Sequence, residues 1–154
     1  MSVTIRTATL KDLPILLEFE QQLISVERPM DISLEQDKKI NYYDIGEFIT
    51  SNKAQVFVAI KENEIVGSGY GLIKENKPHF REKHFGHVGF MFVKNECRGH
   101  GIGQLVLQAI FNWFKAKNIR EIRLQVYPNN PNAIRAYEKV GFKKNLVEML
   151  HYLD

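Results

Sequence analysis

Arg98-Gly99-His100-Gly101-Ile102-Gly103 is the stretch whose residue types and spacing could do chemistry. Three glycines at alternate positions allow a tight turn with no Cβ atoms in the way. An apolar run at 88–93 leads into it and a helical pattern over 104–117 follows. A helix starting there points its free N–H groups, and the positive end of its dipole, into the turn. Such a turn binds an anion, most often phosphate or pyrophosphate. Two phosphate readings fail on local sequence. A dinucleotide fingerprint needs Gly-x-Gly-x-x-Gly near a first strand, and a nucleotide P-loop needs Lys-Ser or Lys-Thr after its last glycine. Here Gly103 is followed by Gln104-Leu105, and the turn comes after four expected strands. The five histidines, His79, His84, His87, His100 and His151, do not stand at metal-ligand spacing with nearby acids, so no metal site is expected.

The chain of 154 residues is read as one domain, 1–154, long enough to bury a core. It is 44% hydrophobic and 25% charged with a net charge of +3, values ordinary for a soluble globular protein. No basic block tracks a phosphate backbone, so nucleic acid is not the expected partner. No apolar run is long enough for a membrane span, and the first ten residues do not form a signal peptide, which makes a cytoplasmic setting the expectation. Cys97 stands alone, which excludes an internal disulfide, and it is read as structural.

The elements that must position the turn follow from periodicity. Val3, Ile5 and Thr7 alternate as a first strand, and Thr9 is the expected cap of a helix through Leu23. The segment 25–44 weakens into a loop, with a short helix expected at 34–40 and another around Tyr42 to Ile49. This acidic, aromatic stretch is the expected place of substrate recognition. Residues 55–60 and 64–73 form a hairpin, in which Gly67, Gly69 and Gly71 on one face imply close approach of another group. Residues 86–93 read as a central fourth strand and 121–127 as a fifth. Residues 132–140 form a helix ended by Gly141, and 142–153 close as further strands. The fold class is α/β.

Two stretches together resemble the GNAT superfamily of acetyl-coenzyme A-dependent N-acetyltransferases. Arg98 to Gly103 fits its Arg/Gln-x-x-Gly-x-Gly/Ala signature. Asn130-x-x-Ala133-x-x-x-Tyr137-x-x-x-Gly141-Phe142 fits a second signature at the expected separation. The resemblance runs from about Thr4 onward. It implies a mixed, largely antiparallel central sheet with splayed fourth and fifth strands, flanked by helices. It also implies acetyl-coenzyme A as acyl donor. The turn backbone, Gly99, His100, Gly101, Ile102, Gly103 and Gln104, with Arg98, would hold its pyrophosphate. Backbone groups of Met91, Phe92 and Val93 would pair with the pantetheine arm, Asn130 and Ala133 would lie along it, and Tyr137 would protonate the departing thiolate. The acceptor would be a primary amine, of a small molecule or a peptide, attacking directly in a ternary complex. A homodimer is compatible with such a fold.

An amine must lose a proton before it attacks. Relatives place a glutamate on the fourth strand or at the position of Gln125, and this chain has Gly89, Phe90 and Gln125 there. His87 is the candidate base on that strand. By the two-residue period it shares a face with Gly89 and Met91, and an ordinary imidazole titrates near ~6.5. Glu82, His84, Glu27 and a water chain remain alternatives. Glu18, Glu20, Glu27 and Asp31 are placed to attract a cationic amine. A non-catalytic acyl-coenzyme A-binding module is the competing reading, motivated by the missing glutamates.

Overall fold

The computed structural model describes residues 2–154. Five strands form one sheet in sequence order: β1 (Thr4–Thr7), β2 (Ala54–Lys61), β3 (Glu64–Glu75), β4 (His84–Val93) and β5 (Ile122–Arg123). All neighbours are antiparallel except β4 and β5, which are parallel. The mixed, largely antiparallel α/β architecture expected from the sequence is therefore present.

Both faces of the sheet are covered, which is why β2 reads as a continuous apolar run. Its alternation sorts side chains to two cores. Phe57 and Ala59 join Val66, Val88, Val106, Ile110 and Phe114 beneath α3 (Ile102–Ala116). Val56 and Val58 join Leu16, Phe19, Ile45, Tyr70, Phe90 and Phe92 beneath α1 (Leu13–Glu27) and α2 (Ile45–Thr50). Full burial of each such side chain stabilises by about 1.5–3 kcal/mol. The glycine stripe of β3 has the expected cause. Phe114, fully buried, lies so close that a Cβ on Gly71 would come within 2.8 Å of its ring, and one on Gly86 within 2.5 Å. At the other end of the sheet, Arg6 forks onto Asp12 at 2.7 and 3.0 Å, and Asp12 also accepts from the Thr9 N–H at 2.8 Å, pinning the start of α1 to β1.

Four expectations are corrected. Residues 34–40 are not helical, because side chains hold this loop's backbone: Arg28 donates to the carbonyls of Glu35 and Lys38, and Gln36 to those of Arg28, Asp31 and Leu34. Tyr42 and Tyr43 precede α2 rather than joining it, since both their N–H groups bond Glu20 Oε2, at 2.8 and 2.9 Å. The fifth strand is paired only at Ile122 and Arg123, after which β4 turns away. Residues 143–154 form no strand and lie exposed. The helix of the second signature is α4 (Pro131–Lys139). No helix among the described residues is long and apolar enough to cross a membrane.

Candidate active site

The glycine turn has the geometry its composition demands. Gly99 and Gly101 sit at φ 81° and 79°, in the left-handed region, and a Cβ at either would meet nothing within 4 Å. Backbone conformation, rather than space, requires glycine there. Gly101 caps α3 without any side-chain bond. The N–H groups of the first turn, at Ile102, Gly103 and Gln104, have no carbonyl one turn behind them within the helix, so they are available to an anion. Arg98 Nε donates to the Val93 carbonyl at 3.1 Å, fastening the turn to the end of β4. His100 Nδ1 lies 3.2 Å from the Cys97 carbonyl, which can only accept, so this nitrogen carries the proton. Between α1 and the turn lies a cleft of about 420 Å³, lined by Gln22, Ser25, Phe92, Asn95 and Arg98 among others.

β4 is paired with β5 only as far as His87 opposite Arg123. Beyond that point the edge facing β5, along Met91, Phe92 and Val93, has no partner strand. The cause lies in β4 itself. Phe90 adopts φ 56°, the register against β3 slips between Ser68 and Tyr70, and the fully buried Ser68 donates its hydroxyl to the Phe90 carbonyl at 3.2 Å. This bulge corrects the expected face. A Cβ on Gly89 would point at the Tyr70 hydroxyl, 2.4 Å away, and Phe90 packs in the same core as Tyr70. Met91 instead lies over Gly69 on the α3 side, so His87 and Gly89 do not share a face with Met91.

His87 is packed near Tyr70, their rings 6.0 Å apart. Burial, with Lys74 nearby, pushes its imidazolium down to about 4. It is therefore neutral at neutral pH and holds an accepted proton weakly. Glu82 and His84 stand at the opposite end of β4 from the turn, with His84 paired to Glu75.

A second group of side chains meets the bulge from the 28–44 loop. The Phe90 N–H donates to the Tyr43 hydroxyl at 3.3 Å, which lies 3.3 Å from the Tyr42 hydroxyl, which in turn bonds Glu27 Oε1. One hydrogen per phenol fixes the direction: Tyr43 donates to Tyr42, and Tyr42 to Glu27. Burial raises the Glu27 carboxyl above the usual carboxylate range. It likewise raises both tyrosines, which stay protonated. Across the mouth, Tyr127, just beyond β5, donates to Asp31 at 2.6 Å. Glu20, named above as an attractor of amines, is instead fully buried and holds the loop by its backbone. Its Oε1 has no partner among the described residues. The doubled tyrosines and the acids around them were the signal for this group, but sequence gave no sign of the order in which they bond.

Tyr137 projects from α4 against Phe142, the ring centroids 5.9 Å apart and edge to face. Burial, with Tyr43 nearby, pushes its hydroxyl up to about 12. Asn130 caps α4 by accepting from the Ala133 N–H at 3.4 Å, which leaves its amide nitrogen free. Turn, open β4 edge, phenol chain and Tyr137 thus border one splayed region, whereas Glu82 and His84 do not. No cluster of three or more histidine, cysteine or acidic side chains able to hold a metal occurs among the described residues.

Residues 20–142 match the model of the Acetyltransferase (GNAT) family. Among curated relatives, an N-alpha-acetyltransferase of Sulfurisphaera tokodaii is 32% identical, covering 97% of this chain and 86% of that protein. Another N-alpha-acetyltransferase, of Saccharolobus solfataricus, is 31% identical over 98% of this chain and 86% of its own length. In fold, a predicted acetyltransferase from Clostridium acetobutylicum, solved with acetyl-CoA, superposes with a TM-score of 0.71 at 22% identity over 97% of this chain and 96% of that one. A tetramutant of a Bacillus halodurans protein reaches 0.81 at 24% identity, covering 97% and 99%.

Proposed function

Because the chain belongs to the GNAT acetyltransferase family, and so is an acetyl-coenzyme A-dependent N-acetyltransferase, we propose that its acceptor is the free α-amino group of a peptide. The uncapped N-terminus of α3 beneath two left-handed glycines, beside the open edge of β4, is the observation that carries the cofactor half of this reading. Those residues fit a pyrophosphate and an extended amide-bearing arm. When bound, acetyl-coenzyme A supplies the activated acyl group.

The acceptor half rests on the phenol chain. An amine at the splay meets the Tyr43 oxygen, and its proton passes from Tyr43 to Tyr42 to Glu27 as each hydroxyl gives up one proton and takes another. Glu27 suits this role better than His87, because a carboxyl raised by burial binds a proton more firmly than an imidazole at about 4. Such a base favours an α-amine, with its ordinary pKa near ~8, over a lysine side chain near ~10.4. The two relatives named for N-alpha acetylation support the same choice.

Tyr137 acts at the leaving sulfur. A phenol at about 12 is a weaker acid than a thiol near ~8.5, and full proton transfer would be uphill by about 5 kcal/mol. Tyr137 therefore stabilises the developing thiolate mainly as a hydrogen-bond donor. The test is free-thiol release with paired peptides, one with a free N-terminus and one N-terminally blocked but carrying lysine. Release is expected with the first only. Equal turnover of both would overturn the α-amine assignment.

A further inference from the structure

The end of the sheet farthest from the glycine turn carries a surface that acetyl transfer does not use. β3 ends there and β4 begins, with Glu75 paired to His84 and the loop 76–83 between them. The start of β5 lies alongside, the Gly86 N–H donating to the Glu121 carbonyl at 2.8 Å. The end of α3 reaches the same place, because the Phe114 ring fills the space that a Cβ on Gly86 or Gly71 would need. β4, with 10 residues, sets this end roughly 30 Å from Val93 and the turn.

Separate segments bring cations together here. Lys74 ends β3, and Lys77, Arg81 and Lys83 follow in the loop, all exposed. Lys115 and Lys117 at the end of α3 and Arg120 before β5 are exposed beside them. The acids of these segments offset little: Glu121 pairs with Arg123, Glu82 is half-buried, and Glu75 alone stands exposed. The excess of positive charge here is larger than the net +3 of the whole chain, so the remainder of the molecule is net acidic. No basic block is visible along the sequence, because the contributing residues are far apart in it.

Aromatic rings stand among these cations. The Arg123 guanidinium lies 4.8 Å from the centroid of Phe80 and 4.2 Å from that of Phe85, and the His79 ring lies 4.4 Å from Phe80. With Asn76 and Lys77 they line a cavity of about 360 Å³. Asn76 fixes the loop: it accepts from Arg123 at 3.1 Å, and its amide and backbone N–H donate to the carbonyls of Glu82 and Lys83 at 2.9 and 2.8 Å. Phe80 nonetheless remains 42% exposed.

We propose that this end of the molecule binds single-stranded nucleic acid, its lysines and arginines taking phosphates while His79 and Phe80 stack on a base. Clustered cations select a polyanion. The rings choose among polyanions, since every base has a π-face to offer them and carboxylates have none. An anionic membrane would need a broader apolar face than one exposed phenylalanine. This inference does not depend on which amine is acetylated.

Fluorescence anisotropy of the full chain with a labelled RNA strand of about 16 nucleotides, and with DNA of the same sequence, tests it. Binding of either strand is expected at low salt. Neutralising about four phosphates gives a slope of about −2.8 in log K against log salt, so Kd should rise roughly 50-fold between about 50 and 200 mM. Lys77→Glu combined with Arg81→Glu should weaken binding at least about 10-fold and flatten that slope. Phe80→Ala should weaken it about 5- to 150-fold and leave the slope unchanged. Circular dichroism and acetyl-coenzyme A affinity should match the parent's in both variants, because the changes lie far from the cofactor cradle. Three results would overturn the proposal: no strand binding at low salt, parental affinity in the charge variant, or parental affinity in Phe80→Ala. Vesicles of anionic phospholipid run as a control, and binding to them with none to either strand would give the surface to a membrane instead.

Discussion

Replacing Glu27 by glutamine tests the proton path at its end. The amide keeps the shape and can still accept from Tyr42, but it cannot take the proton. General-base contributions run from about 100- to 10,000-fold. The low end applies here, because the path crosses two phenols and water can substitute, so kcat/KM should fall roughly 100-fold, or about 2.7 kcal/mol. The base works deprotonated. In the parent protein, kcat/KM should therefore decline as pH falls through the Glu27 pKa, which burial raises above the ordinary carboxylate range. Glu27→Gln should lack that acid limb. Stability provides an independent control. A carboxyl whose folded pKa is raised binds more protons folded than unfolded, so its contribution to stability is lost as pH rises. Glutamine removes that penalty, and the variant should be at least as stable at neutral pH. Steady-state thiol release across pH, with thermal melts alongside, reads both. Parental kcat/KM with an unchanged acid limb would refute the path through Tyr43 and Tyr42 and leave His87 as the candidate base.

Tyr137→Phe should lower kcat by roughly 10- to 100-fold, the scale of removing one hydrogen bond to a developing charge, with the Kd for acetyl-coenzyme A nearly unchanged by calorimetry. Gly86→Ala would press a methyl group onto the fully buried Phe114 ring. It should destabilise by about 1–3 kcal/mol, seen as a melting temperature lower by roughly 3–10 °C. The Arg6 fork holds the Asp12 carboxyl below its usual value, helped by the Thr9 N–H. Its contribution is present above the unfolded carboxylate pKa and lost as pH falls through the lowered folded value. Asp12→Asn should therefore cost up to about 1 kcal/mol in urea melts at neutral pH and progressively less in acid.

What could be read from sequence depended on whether residue type reports backbone state. Gly99 and Gly101 announce positive φ, so the turn and its ligand class were legible. Phe90 adopts the same half of conformational space, but a phenylalanine gives no sign of it. The bulge and the true face of Met91 were therefore hidden, and the splay was expected only through the family resemblance. The unbroken apolar run of β2 agrees with a sheet covered on both faces, while the sorting of its side chains between the two cores emerged only from the structure. The loop at 28–44 was not legible, because Arg28, Gln36 and Glu20 take its backbone groups by contacts far apart in sequence. The same distance hid the Tyr127–Asp31 bond, which joins residues 96 positions apart. The tail at 142–153 was read as further strands from the alternation of Val147, Met149 and His151, yet alternation alone supplies no pairing partner, and no strand forms there.

Cys97, the one cysteine, is buried at 5% exposure beneath the glycine turn. An aromatic disulfide reagent that titrates released coenzyme A should therefore meet no accessible thiol on the folded protein. Colour in such a reaction thus counts product alone while the fold holds. A slow second phase of colour at high temperature would time the opening of the turn, giving the molecule a built-in reporter of local unfolding at its own cofactor cradle.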